Sequence, residues 1–317
     1  MKRCNGVFEG GGVRGIGHIG AAWEFEKAGF CFVNLAGSSA GAMVAALLAA
    51  GYNSRELKQE MEAFDYQRLK GRDFLDHFGT LGKLCSILFH FGIYNTEYLD
   101  KWMEELLSRK GIHDFNDVKK TGRTLKITAS DLTAGHLLIL PDDLAELGIT
   151  PGSFSVAAAV RMSVSIPIYF EPVRLSTGDG SIHLVVDGGL ISNFPLWVLD
   201  GKGVSQANPT FGFQFSDQKR ENCLCVRPSC WNLVDYLKAI ASACMDATDY
   251  SRGQAGDRQR TVRIPVNICM GETEKTVHAV DFDISREEEQ ALFENGRRAA
   301  ASFLKTWDYD AWEKKYR

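Results

Sequence analysis

Hydrophobic and polar positions along the first fifty residues switch between a strand period and a helix period, and the switches fall at glycines. NGVFEGGG reads as a strand running into a glycine turn, and IGHIGAAWEFEKAG reads as a helix that stops at Gly29. FCFVNLAG is a second strand. It breaks at Gly37-Ser38-Ser39-Ala40-Gly41 and resumes as the helix AMVAALLAAGY, whose small side chains suit close packing on a sheet. Ser39 therefore sits at the passage from strand to helix.

Helical spacing continues from Ser54 to Phe64. GRDFLDHFGTLGKLCSILFHFGIYN then carries Phe74, Leu75, Phe78, Leu81, Leu84, Ile87, Leu88 and Phe89, an apolar content high for a loop. It reads either as helices over the core or as a cover at the edge of an apolar substrate site. Asn95 or Thr96 is placed to cap EYLDKWMEELLSRKG, whose apolar face carries Leu99, Trp102, Met103, Leu106 and Leu107. TLKITASD and GHLLILP predict a hairpin turning at Leu132 to Gly135, which makes the sheet mixed. SFSVAAAVRMS predicts a short helix stopped by Pro167, and SIHLVVDGG predicts a strand that delivers Asp187.

TFGFQF and TVRIPVNI predict further strands. NLVDYLKAIASACMDATDY has Leu233, Leu237, Ile240, Cys244 and Thr248 at helical spacing, and the final helix presents Leu292, Gly296, Ala299, Phe303 and Trp307 on one stripe. No repeat or long linker interrupts the chain, so a single domain over residues 1–317 is expected.

Composition narrows the function more than the fold. With 45% hydrophobic and 24% charged residues the chain belongs with globular proteins, and a net charge of -4 offers no general basic surface for a nucleic acid. Eight cysteines in 317 residues are too dilute for a disulfide scaffold, which points to reduced thiols and a cytoplasmic setting. Cys223, Cys225 and Cys230 lack a nearby fourth ligand, so a zinc site is not expected. The apolar run from Ala40 to Gly51 falls short of the roughly 20 residues a membrane-crossing helix needs. Glu9 and Arg14 interrupt any signal-peptide segment, and peripheral contact with a membrane surface stays compatible with the composition.

Three features can carry chemistry. Gly37-x-Ser39-x-Gly41 in a strand-turn-helix setting projects a hydroxyl into a cleft at a helix N-terminus, as a nucleophilic serine requires; a neutral tight turn looks similar. Gly10-Gly11-Gly12-x-Arg14-Gly15 can present backbone N–H groups to an oxyanion, with Arg14 either facing a lipid headgroup or making a structural ion pair. Asp187-Gly188-Gly189 can hold a carboxylate as general base or form an Asx turn.

Rival chemistries fit less well. Gly10, Gly12 and Gly15 also satisfy a dinucleotide pattern, but FVNLAG lacks the acidic residue that ribose binding needs. Ile16 and Gly17 stand where a phosphate loop has Lys and Ser or Thr. Of the seven histidines, only His278 follows Asp187 in the order of a hydrolase triad, without a distinctive setting, and His18 reads as part of the first helix.

GGGVRG, GSSAG and DGG, with RMSVSIPIYFEPV leading into DGGLISNFP, together resemble the patatin-like phospholipase family, most closely from Val7 to Pro195. The resemblance implies a three-layer α/β/α fold around a predominantly parallel mixed sheet. It implies a serine–aspartate dyad with Ser39 as nucleophile and Asp187 as base, oxyanion donors at Gly10, Gly11 and Gly12, and Arg14 and Gly15 completing the motif. It implies no catalytic histidine, metal or cofactor. The expected substrates are acyl esters of phospholipids, lysophospholipids or other lipids. An acyltransferase using the same acyl-enzyme and a catalytically silent lipid-binding module are the alternatives.

Overall fold

The computed structural model describes residues 1–70, 86–200, 208–217, 257–270 and 273–316. Strand β1 (Lys2–Phe8), helix α1 (Ile16–Lys27), strand β2 (Phe30–Ser38), and helices α2 (Ala40–Ala49) and α3 (Ser54–Ala63) stand where the hydrophobic period places them. The apolar segment from Phe74 to Leu84, the cluster Cys223, Cys225 and Cys230, and the helix containing Leu233 to Thr248 lie outside the described residues. Ile87 is half-buried, while Leu88 and Phe89 are exposed.

The chain continues through β3 (Gly92–Tyr94), α4 (Glu97–Arg109), α5 (Phe115–Lys120), β4 (Thr124–Asp131), β5 (His136–Leu140), α6 (Val156–Val164), β6 (Ile168–Phe170), β7 (Val173–Ser176) and β8 (Ile182–Asp187). After α7 (Gly189–Ser192) come β9 (Thr210–Ser216), β10 (Thr261–Pro265), β11 (Asn267–Met270), β12 (Thr273–Thr276), α8 (Arg286–Thr306) and α9 (Tyr309–Tyr316). TVRIPVNI is thus two strands rather than one. The Val266 N–H makes the last bond to β9, donating to the Ser216 carbonyl at 3.1 Å, and the chain then leaves that sheet to pair with β12.

Among the described residues the main sheet has eight strands, and β10, β9, β1, β2 and β4 run parallel within it. Strands β5 and β8 pair antiparallel with β4, and β7 with β8, so the sheet is mixed. Neighbouring residues of a strand face opposite sides. Accordingly Phe8 and Leu35 enter the main core, while Val7 and Ala36 pack on the other side with Leu196, Val198 and Leu199. Helices cover both sides in three α/β layers. Helix α2 lies on β1, β2 and β4, and α1 packs along α8. Every residue of α2 is buried, which explains a helix apolar on all sides. Among the described residues, no helix is long and apolar enough to cross a membrane.

The pairing of β4 decides where the chemistry meets. Strand β5 pairs with residues 127–131 of β4; β2 pairs with 124–128, and β8 with 129–131. Because β5 spans both sets on one edge, β2 and β8 must share the other. They approach from opposite directions and stop at consecutive positions, Ser38 opposite Thr128 and Asp187 opposite Ala129. The serine turn and the aspartate turn therefore abut, although 148 residues separate them.

Candidate active site

Strand β2 ends at Ser38 and α2 begins at Ala40, which leaves Ser39 alone to reverse the chain. It does so at φ 52° and ψ −127°, a region that side-chain-bearing residues rarely occupy. The flanking glycines make the turn possible by close approach. A Cβ on Gly37 would lie 2.4 Å from the Gly41 carbonyl, and one on Gly41 would lie 2.2 Å from the Phe8 carbonyl oxygen. The Ser39 N–H donates to Ser163 Oγ at 2.8 Å, and Ser163 Oγ donates to the Thr128 carbonyl at 2.7 Å. Ser163 thereby fastens the turn to β4, and the positive end of the α2 dipole lies beside the Ser39 hydroxyl.

Ser39 Oγ donates to Asp187 Oδ2 at 2.6 Å, and the Gly189 N–H donates to Asp187 Oδ1 at 2.7 Å. Asp187 has no exposed surface. Burial pushes its carboxyl up to about 7, against the pull of the Ser39 hydroxyl and the Gly189 N–H toward the charged form. Gly188 leaves room for this approach, since a Cβ there would lie 2.3 Å from the Thr128 carbonyl oxygen.

The glycine turn after β1 lies beside this pair. The N–H of Gly10, one of the three expected oxyanion donors, donates to the Asn193 carbonyl at 3.0 Å. The N–H groups of Gly11 and Gly12 have no hydrogen-bond partner among the described residues. Gly12 adopts φ +54°, and a Cβ on it would lie 1.9 Å from the Ala279 carbonyl oxygen. Arg14 Nε donates to the Gly11 carbonyl at 3.1 Å, and the Arg14 guanidinium lies 5.0 Å from the centre of the Phe215 ring. Arg14 thus braces the turn. Gly15 packs against α2, where a Cβ would lie 3.2 Å from Ala40 Cβ.

Neither histidine considered from the sequence stands between Ser39 and Asp187. His18 is fully buried on α1, and its Nε2–H donates to the Glu9 carbonyl at 2.8 Å. Burial pushes its pKa down to about 3, so the ring is neutral at ordinary pH. His278 is exposed, and it is the neighbouring Ala279 that touches the glycine turn, through a carbonyl accepting from the Val13 N–H at 3.0 Å.

From Ser39 and Gly12 a narrow apolar cleft, partly open to solvent, runs along the α2 face formed by Met43, Val44 and Leu47. It reaches Leu57 and Met61 on α3 and is walled by Phe170 and Phe282. Among the described residues that line it, only Ser39 and Tyr66 carry a hydroxyl. Ser163, Asn193 and Phe282 contribute here without having stood out in the sequence. Only the segments RMSVSIPIYFEPV and DGGLISNFP pointed toward the first two.

Comparison with known proteins agrees with this architecture. Protein YqhO of Bacillus subtilis is 37% identical over 305 residues, covering 96% of this chain and 99% of its own length. The structure of VipD from Legionella pneumophila superposes with a TM-score of 0.56 at 15% identity, over 96% of this chain and 67% of VipD. The type III effector ExoU of Pseudomonas aeruginosa gives a TM-score of 0.51 at 16% identity, over 96% of this chain and 53% of ExoU. The sequence pattern of the patatin-like phospholipases matches residues 6–200, and with the motifs and the three-layer fold this makes the chain a member of the patatin-like phospholipase family.

Proposed function

We propose that the protein is a serine-dependent lipid acyl hydrolase that cleaves carboxylic esters of phospholipids or lysophospholipids through Ser39 and Asp187. The observation that carries this reading is the 2.6 Å hydrogen bond from Ser39 Oγ to a buried Asp187, at the end of an apolar cavity. A carboxyl near 7 accepts a proton at neutral pH more readily than an ordinary aspartate does.

In the acylation step Asp187 takes the hydroxyl proton while Ser39 Oγ bonds to the ester carbonyl carbon. The Gly11 and Gly12 N–H groups and the α2 N-terminus stabilise the oxyanion. Collapse breaks the bond to the alcohol oxygen, which leaves with the proton held by Asp187. Water then gives a proton to Asp187 and attacks the acyl carbon. The acid departs and Ser39 recovers its proton, so the enzyme ends as it began.

Wild type, Ser39→Ala and Asp187→Asn are to be compared on short-chain esters, phospholipids and lysophospholipids, with glycerol as an added acceptor. Turnover in the wild type alone, yielding free fatty acid, supports the reading. Product appearing only as an acyl ester of the acceptor would make the protein a transferase. Lipid binding without Ser39-dependent turnover would make it a binding module.

A further inference from the structure

We infer that Glu9 is a positioning residue for the oxyanion turn, acting with Asn193 to lock that turn to the segment that carries Asp187; this rests on Ser39 being the acyl-transfer nucleophile. Glu9 immediately precedes Gly10 and is only 6% exposed, unusual burial for a carboxylate. A buried carboxylate needs donors, and donors surround it. Glu9 Oε2 accepts from the Phe215 N–H in a close contact, and Oε1 lies 3.5 Å from both Gln214 Nε2 and Asn193 Nδ2. Its backbone carbonyl accepts from His18 Nε2 at 2.8 Å. Glu9 is thus held by β9 through its carboxylate and by α1 through its carbonyl.

Those restraints pass directly into the glycine turn. The ring of Phe215, whose backbone Glu9 grips, stands where a Cβ on Gly11 would approach within 2.3 Å. Asn193 makes the second connection. Its carbonyl accepts the Gly10 N–H at 3.0 Å, and its Nδ2 reaches the Gly10 carbonyl at 3.4 Å and Glu9 Oε1 at 3.5 Å. Both side-chain contacts are acceptors, which orients the amide with nitrogen toward them. Asn193 Oδ1 then faces Gly10, where a Cβ would lie 2.1 Å from that oxygen and 3.1 Å from Ser39 Cβ.

Asn193 directly follows α7, the helical turn that starts two residues beyond Asp187. One short segment therefore bears the base and grips the oxyanion turn. The Gly10 N–H is spent in the lock, and the Gly11 and Gly12 N–H groups are the ones displayed. Misplacing such donors by about 1 Å is enough to cost roughly 10²-fold in rate.

The test uses the full-length protein with a soluble short-chain ester, comparing wild type, Glu9→Gln, Asn193→Asp and the double variant, with Ser39→Ala as the blank. Glu9→Gln leaves one acceptor oxygen where two served, so its NH2 must face either the Phe215 N–H or Asn193 Nδ2, and Asn193→Asp sets a carboxylate against both the Glu9 carboxylate and the Gly10 carbonyl. Each is expected to lower kcat per folded molecule roughly 10–100-fold with KM little changed. In the double variant an amide at position 9 accepts from the Phe215 N–H and donates to the carboxylate at position 193, while that carboxylate still faces the Gly10 carbonyl, so kcat recovers roughly tenfold over Asn193→Asp without reaching wild type. Unchanged kcat per folded molecule in both single variants, or a double variant as impaired as the two losses combined, overturns the inference while leaving Ser39-dependent hydrolysis in place. Absence of Ser39-dependent turnover in the wild type overturns the hydrolase reading, and this inference with it.

Discussion

If Asp187 is the base proposed above, pH acts through it on both catalysis and stability. Its folded-state carboxyl lies near 7, above the 3.8 of a free aspartate, because burial penalises the charge more than Ser39 and Gly189 favour it. Acting as base, it must be ionised; kcat/KM should rise about tenfold per pH unit below 7 and level off above it in a pH–rate profile. Stability runs the opposite way. The native state keeps a proton that the unfolded chain releases near pH 4, so the group's contribution is complete below about 4 and is lost as pH rises through about 7. Asp187→Asn, neutral throughout, should therefore gain stability relative to wild type on going from about pH 5 to about pH 8, by up to about 3 kcal/mol in urea unfolding. Ser163 offers a second check, because it satisfies both the Ser39 N–H and the Thr128 carbonyl. Ser163→Ala should cost about 1–3 kcal/mol of stability, and kcat should fall with KM held, as melting and steady-state kinetics would reveal.

At the scale of elements, close backbone approach does most of the positioning. Helices α1 and α8 touch through glycines: a Cβ on Gly20 would lie 2.0 Å from the Phe293 carbonyl oxygen, and one on Gly296 would lie 1.9 Å from that of Gly17. Gly296→Ala should force the helices apart and destabilise the fold by about 1–3 kcal/mol in chemical denaturation. Many elements were legible from period and punctuation. Strand β2, the Ser39 turn and α2 follow from a strand run, a Gly-x-Ser-x-Gly break and a small-residue helix. The hairpin of β4 and β5 pairs Asp131 with His136, as the turn residues indicated. Local pattern could not show that β2 and β8 meet end to end on one edge of β4, because that depends on register between distant segments. It also could not assign the start of α4. Asn95 Oδ1 accepts from the Glu97 N–H at 3.2 Å, while the hydroxyl of Thr96, the residue at the cap position, accepts from Arg161 Nε at 2.9 Å.

At the scale of the whole molecule, the sheet brings the hydrogen-bonded Ser39 and Asp187 to one end of a cleft lined by the α2 face and α3. On the proposed hydrolase reading, that apolar lining is the place for the acyl chain. Each methylene buried there is worth about 0.8 kcal/mol, so kcat/KM should climb roughly fourfold per added methylene until the chain meets Leu57 and Met61. Leu57→Trp should shorten the preferred chain and spare short esters, as a chain-length series would measure. The cavity was less legible than the dyad, since Met43, Val44, Leu57, Phe170 and Phe282 read individually as core residues and only the fold lines them up. The central claim is that Ser39 is made nucleophilic by Asp187 without a histidine. Mass spectrometry of the protein after reaction with an activated fluorophosphonate tests it most directly. The account predicts a single adduct on Ser39 in the wild type and labelling at least about 10²-fold slower in Asp187→Asn. An adduct on another residue, or wild-type labelling rates in Asp187→Asn, would contradict it.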